Sequence, residues 1–159
     1  MGKGSPEIID VLNRGLTHEL TAVNQYFIAS KVAGDWGYHR LAKEYYDESI
    51  GEMRHAETLI DRVLYLDGVP NMQRLNTVKV GESIIEQFQL NYELEKAAVA
   101  LYQEGIKLTT DHGDPGTRKI LEEILAEEEH HVDEAESELE NLEQIGEKLW
   151  LAKWVGTGE

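Results

Sequence analysis

The sequence predicts an all-α four-helix bundle, with one long crossover between the second and third helices and a short fifth helix at the C-terminus. Three observations predict it. Apolar residues recur at three- and four-residue intervals through four long segments, with no alternating run that would read as a strand. The three prolines, Pro6, Pro70 and Pro115, each fall where a helix would begin or stop. The connections are unequal, two short glycine-bearing turns and one long segment, which sets the order of packing.

The first helix is expected over about Pro6 to Lys31, with Ile8, Leu12, Leu16, Val23 and Phe27 on one stripe and Pro6 suited to the first turn. Gly34, Asp35 and Gly37 would make the turn. The second runs from about Tyr38 to Asp67 with Leu41, Tyr45, Ala56, Leu59, Val63 and Leu66 inward. The third, about Glu82 to Asp111, uses Ile85, Phe88, Tyr92, Val99, Tyr102 and Ile106. The fourth, about Thr117 to Gln144, uses Leu121, Ile124, Leu125, Val132, Ala135, Leu139 and Leu142. Short turns at 34–37 and 113–116 make two antiparallel hairpins. The crossover from Gly68 to Gly81 can reach ~45 Å at ~3.3 Å per residue, enough to run back along a helix of about 28 residues. Hairpins joined in this way build a ferritin-like bundle. After Gly146, Leu149, Trp150, Leu151, Trp154 and Val155 form an apolar tail too short to be stable alone. It is expected to find cover at a junction between subunits.

At 159 residues the chain suits one domain spanning 1–159, with the bundle over about 6–145 and the short helix over about 147–155. No stretch approaches the roughly 18 apolar residues of a membrane span. The N-terminus lacks a secretory apolar run, and Pro6 stands where a myristoylation signal after Gly2 wants Ser or Thr. A formal charge of −16 without a basic tail argues against nucleic acid and favours cations. Without cysteine there is no thiolate chemistry, which fits a cytoplasmic protein.

The informative residues are acids in phase with the core. Glu19, Glu52, Glu95 and Glu128 each fall on the buried stripe of a different helix, and His55 and His131 follow two of them at i+3, on the same side. The spacing is duplicated. Glu19 to Glu52 and Glu95 to Glu128 are both 33 positions, and an offset of 76 relates Glu19 to Glu95, Glu52 to Glu128 and His55 to His131. Glu127-x-x-His130 overlaps the last motif, but His130 shares its stripe with Glu123 and Ser137, and the offset selects His131. Four buried anions are costly unless neutralised. Two divalent cations balance four carboxylates and two neutral imidazoles, and this donor set suits iron or manganese.

The chain also resembles a known family, the bacterioferritins, over essentially its whole length. The matching stretches are HELTAVNQYF at 18–27, DWGYHRLA at 35–42, ESIGEMRHAE at 48–57, LDGVPNMQRL at 66–75 and EEEHHVD at 127–133. The resemblance implies a hollow 24-subunit shell, built from dimers, that oxidises Fe2+ with O2 or H2O2 and stores a ferric mineral. It implies that Glu19, Glu52, His55, Glu95, Glu128 and His131 are the ferroxidase ligands of a di-iron centre. It further implies haem b between two subunits, one per dimer, with Met53 of each as axial ligand, and a small ferredoxin as electron donor. Met53 lies on a stripe with Tyr46, Ile50, Ile60 and Leu64, turned away from Glu52, so α-helical phase gives this segment a second apolar face.

By the same resemblance an acid precedes each Glu-x-x-His motif and orients a ligand histidine. Here Glu127 precedes one and Gly51 the other, so one histidine is expected to lean on water or backbone. Tyr26, seven after Glu19, is either a core tyrosine or a neighbour of the metals. Eleven acids between Glu122 and Glu143 exceed what a core stripe holds, so the fourth helix should also line a wet acidic surface. Rival readings fare less well. A rubrerythrin-like enzyme would often carry a cysteine-bound iron domain, and a DNA-protecting miniferritin would place its iron between subunits. A haem-only electron carrier would make Met53 the essential residue, and only the storage cage should approach 24 subunits by size-exclusion mass.

Overall fold

The computed structural model describes residues 4–157; the expectation about Gly2 lies outside them. Helix α1 (Pro6–Asp35) begins where the Ser5 hydroxyl accepts the Ile8 N–H at 3.2 Å, with Pro6 in the first turn. It runs past the expected stop, taking in Gly34 and Asp35, because the chain meets no obligate turn until Gly37 at φ 92°. Helix α2 (His39–Tyr65) closes with Asp67 at φ 61°, one of the few residue types that tolerate this conformation. Helix α3 (Ile84–Asp111) is capped by Ser83 and α4 (Pro115–Ile145) by Asp114, whose carboxylate accepts the Thr117 N–H. Arg62 donates to Thr117 and Asp114, which pins the end of α2 to the start of α4. Helix α5 (Glu147–Ala152) follows the left-handed Gly146.

Helices α1 and α2 pack as one hairpin and α3 and α4 as the other; α1 lies on α3, and α2 on α4. Residues 66–83 make the crossover. It has no regular structure of its own, so its backbone groups must find partners elsewhere. Side chains of α1 supply them in order: Asn13 accepts from Asn71 N–H, Thr21 from Asn76 N–H and Gln25 from Lys79 N–H. The crossover therefore runs the same way as α1 and carries the chain back to the start of α3, as its length predicts.

Two apolar cores result. One gathers Leu12, Leu16, Leu59, Val63, Tyr102 and Leu121; the other gathers Tyr26, Leu41, Tyr45, Phe88, Trp150 and Trp154. The acidic layer lies between them in every helix.

Two expectations about packing need correction. Phe27 is 44% exposed and packs on Tyr46 at 6.2 Å between ring centroids, outside the core. At about 100° per residue, the stripe begun at Leu12 drifts by about 60° over the intervening residues, which turns Phe27 out and leaves Tyr26 inside. The tail also differs. Trp150 and Trp154 are buried in their own subunit, and the Trp150 ring meets Phe88 edge-on at 4.9 Å. Trp150 Nε1–H and the Lys153 ammonium both reach Glu138 on α4. Of the apolar tail only Leu149 and Val155 stay exposed. The cover expected from neighbouring subunits is supplied by the bundle, because Gly146 folds the chain back onto it.

Candidate metal centre

The long helices bring all six sequence-predicted residues to one point between the two cores. Glu19 comes from α1, Glu52 and His55 from α2, Glu95 from α3, Glu128 and His131 from α4. All four carboxylates are buried, with Glu95 the most exposed at 2%. Their ligand atoms fall into two groups, Glu19–Glu52–His55–Glu128 and Glu52–Glu95–Glu128–His131, each within 4.8 Å of one another. Glu52 and Glu128 belong to both, so each can present one oxygen to either side. His55 Nδ1 stands 3.0 Å from Glu128 Oε1 and 3.6 Å from Glu19 Oε2. His131 Nδ1 stands 3.4 Å from Glu52 Oε1, 3.5 Å from Glu95 Oε2 and 3.5 Å from Glu128 Oε2.

Eight buried atoms here lack a hydrogen-bond partner: both oxygens of Glu52 and Glu128, Oε2 of Glu19 and Glu95, and Nδ1 of both histidines. Buried polar atoms are ordinarily paired, and leaving one unpaired costs about 1–3 kcal/mol. Eight converging orphans, all of metal-ligating type, fit a pair of divalent cations that takes one set on each side.

The remaining oxygens are spoken for. Tyr26 donates to Glu95 Oε1 and Tyr102 to Glu19 Oε1, both at 2.6 Å. Each tyrosine thus serves the glutamate of the opposite hairpin and leaves its second oxygen free to face the site. Tyr26 is therefore both a core residue and a neighbour of the centre. Tyr102 was expected only as core; the signal that finds it is the offset of 76, which also relates it to Tyr26. Burial, followed by the nearby carboxylates, raises both phenols well above their ordinary range, so they remain neutral donors.

Without metal the cluster holds protons. Burial first, then neighbouring Glu19 for Glu52 and neighbouring Glu128 for Glu95, push those two carboxyls well up. Burial opposes ionisation of Glu128 too, but the close approach of Glu95, His131 and His55 holds it well below the usual range. For both histidines burial works against charge, yet Glu128 with Glu19 at His55, and Glu128 with Glu95 at His131, outweigh it and raise each to about 11. Cations entering the site would displace these protons.

The outer ring nitrogens of both histidines face carboxylates. His55 Nε2 contacts Glu127 across the bundle, and His131 Nε2 lies 3.1 Å from Glu48 Oε2. The expectation that Gly51 leaves one histidine to water or backbone is therefore corrected: Glu48, four residues before Glu52 on the same helix face, stands there instead. His130 points outward and pairs with Glu134 at 2.7 Å, as its phase predicts. Met53 is 36% exposed on the outer face of α2, among the exposed Tyr46, Ile50 and Leu64. The second half of α4 presents its acids to solvent, and a cleft lined by Glu44, Glu48, Glu134 and Glu138 opens beside His131. No helix of the described residues is long and apolar enough to cross a membrane.

The comparisons agree with this architecture. Residues 9–145 match the family model of the ferritin-like domain. A bacterioferritin of Streptomyces coelicolor is 47% identical over 150 residues, covering 94% of this chain and 90% of that one. Bacterioferritin BfrA of Mycobacterium tuberculosis is 40% identical over 153 residues, 96% of each chain. The solved structure of Mycobacterium tuberculosis BfrA superposes with a TM-score of 0.95 over 97% of both chains. With the ferritin-like bundle matched along nearly its whole length and relatives at this identity, the chain belongs to the bacterioferritins.

Proposed function

We propose that this chain oxidises Fe2+ and stores the product. Two Fe2+ ions are the substrates, one taken by Glu19, Glu52, His55 and Glu128, the other by Glu52, Glu95, Glu128 and His131. The two ions each give up one electron. With O2 as acceptor, two electrons and two protons yield H2O2; with H2O2 as acceptor, two electrons and two protons yield two waters. The protein's part is to hold both ions at fixed positions, with Glu52 and Glu128 serving both and with Tyr26 and Tyr102 fixing the outer glutamates. The observation that carries this reading is the convergence of eight unpartnered donor atoms in two groups that share two carboxylates. Ferric product would collect inside a 24-subunit shell built from dimers.

Haem b is proposed between two subunits of a dimer, where Met53 of each would hold it. The support is that α2 has an apolar face left exposed by its own bundle, with a thioether among Tyr46, Ile50 and Leu64. When bound, haem would supply a one-electron couple, with a small ferredoxin as its reductant.

Anaerobic Fe2+ titration followed by O2 tests the site, with particle mass measured alongside. Two Fe2+ per subunit and rapid oxidation are expected, lost in Glu19→Ala and His131→Ala but retained in His130→Ala. Assembled Glu19→Ala/His131→Ala protein with unchanged initial rates would refute the ligand set. Met53→Leu should abolish the bis-methionine haem spectrum and spare oxidation; an unaltered spectrum would refute Met53.

A further inference from the structure

The duplication that builds the metal centre is broken at one place. His55 and His131 are equivalent under the offset of 76, and so are Glu127 and Gly51. Glu127 meets the outer nitrogen of His55 from the neighbouring helix. Its counterpart, Gly51, has no side chain with which to meet His131. A Cβ built at Gly51 would touch nothing within 4 Å, so the space for a side chain remains open. Glu48 instead brings Oε2 to 3.1 Å from His131 Nε2. The position equivalent to Glu48 in the other hairpin is Ile124, which lies in the apolar core and cannot do the same for His55.

The geometry points to Glu48 as the positioning residue for His131, replacing the carboxylate that Gly51 omits. This rests on the reading of His131 as a metal ligand. Glu48 Oε2 is buried, makes no hydrogen bond elsewhere, and stands 3.1 Å from His131 Nε2. A carboxylate at Nε2 holds the neutral ring in the tautomer with the proton on Nε2, so that Nδ1 presents its lone pair toward Glu52, Glu95 and Glu128. Glu48 also lines the acidic cleft beside His131, whereas Glu127 is mostly exposed on the far side of His55. The two halves of the centre therefore differ in how their histidines are held, although their ligands are equivalent. Glu48 touches no substrate ion in this assignment; it acts through His131.

The test is Co2+ binding to the metal-free protein, read by visible absorbance and by calorimetry, without any turnover. Wild type should take two Co2+ per subunit. In Glu48→Ala one of the two should weaken by roughly 10- to 100-fold, the usual effect of removing such a partner, while the other keeps its affinity. Glu48→Ala/Gly51→Asp should recover most of the loss, because position 51 stands to His131 as Glu127 stands to His55. Equal weakening of both ions in Glu48→Ala would mark a merely structural role and overturn the inference. So would unchanged affinities in Glu48→Ala, or a double variant that binds no better than Glu48→Ala. His131→Ala separates the two levels of the argument. If it still binds two Co2+ with wild-type affinity, the ligand reading itself fails; if it loses one while Glu48→Ala loses none, only the role of Glu48 fails.

Discussion

Replacing Trp150 with Ala should destabilise the subunit itself, and the size of the effect can be worked from its surroundings. Trp150 is fully buried, edge-on to Phe88 at 4.9 Å and to Trp154 at 6.0 Å, with its indole N–H on Glu138 at 3.2 Å. Truncating a buried Trp to Ala typically costs about 3–5 kcal/mol. The lost hydrogen bond leaves no orphan, because Glu138 keeps the Lys153 ammonium. A loss of about 4 kcal/mol per subunit corresponds to a fall in Tm of roughly 8–16 °C for a chain of this size. The consequence should extend toward the metals. Phe88 packs on Tyr45 at 5.9 Å, Tyr45 on Tyr26 at 6.0 Å, and Tyr26 holds Glu95. The assay is thermal unfolding by circular dichroism, with Leu149→Ala, 68% exposed in the subunit, as the control. Leu149→Ala should move Tm little in dissociated subunits. If Trp150→Ala leaves Tm unchanged while Leu149→Ala lowers it, the tail is an element of assembly and the burial argument is wrong.

Glu128 and Glu52 serve both metal groups, whereas Glu19 and Glu95 serve one each. Glu128→Ala should therefore weaken both Co2+ ions, and Glu19→Ala only one; equal stoichiometry in the two variants would contradict the shared-oxygen geometry. The metal-free protein should lose stability as pH rises. His55 and His131 titrate near 6.5 when unfolded and at about 11 when folded, so between these values the folded state holds more protons and stability falls with pH. Calorimetry from pH 6.5 to 9 with a chelator present should show Tm decreasing, and the metal-loaded protein should not share that slope, since binding has already expelled the protons. A Tm that rises over this range in metal-free protein would refute the proton count.

Much of this protein could be read from one strand of text, and particular residues show why. Helical phase alone puts Glu19, Glu52, Glu95 and Glu128 on buried stripes, since each lies three, four or seven places from core residues of its own helix. The offset of 76 pairs the hairpins and chooses His131 over His130 without any knowledge of distance. The crossover's length sets the topology, because a chain of that span can only return along the bundle. These are properties of local geometry and sequence separation, and both are written in the order of residues. What the sequence left open are contacts between helices. Nothing local says that Tyr26 and Tyr102 exchange partners across the hairpins, nor that Phe27 faces out once its stripe has drifted past the core. Nothing local says that Trp150 folds back onto Phe88, since that depends on where α3 and α4 stand when Gly146 turns the chain. The partner of His131 illustrates the difference best. Sequence order shows the carboxylate missing at Gly51, but only the approach of α2 to α4 shows that Glu48, one turn away, reaches the ring that position 51 cannot.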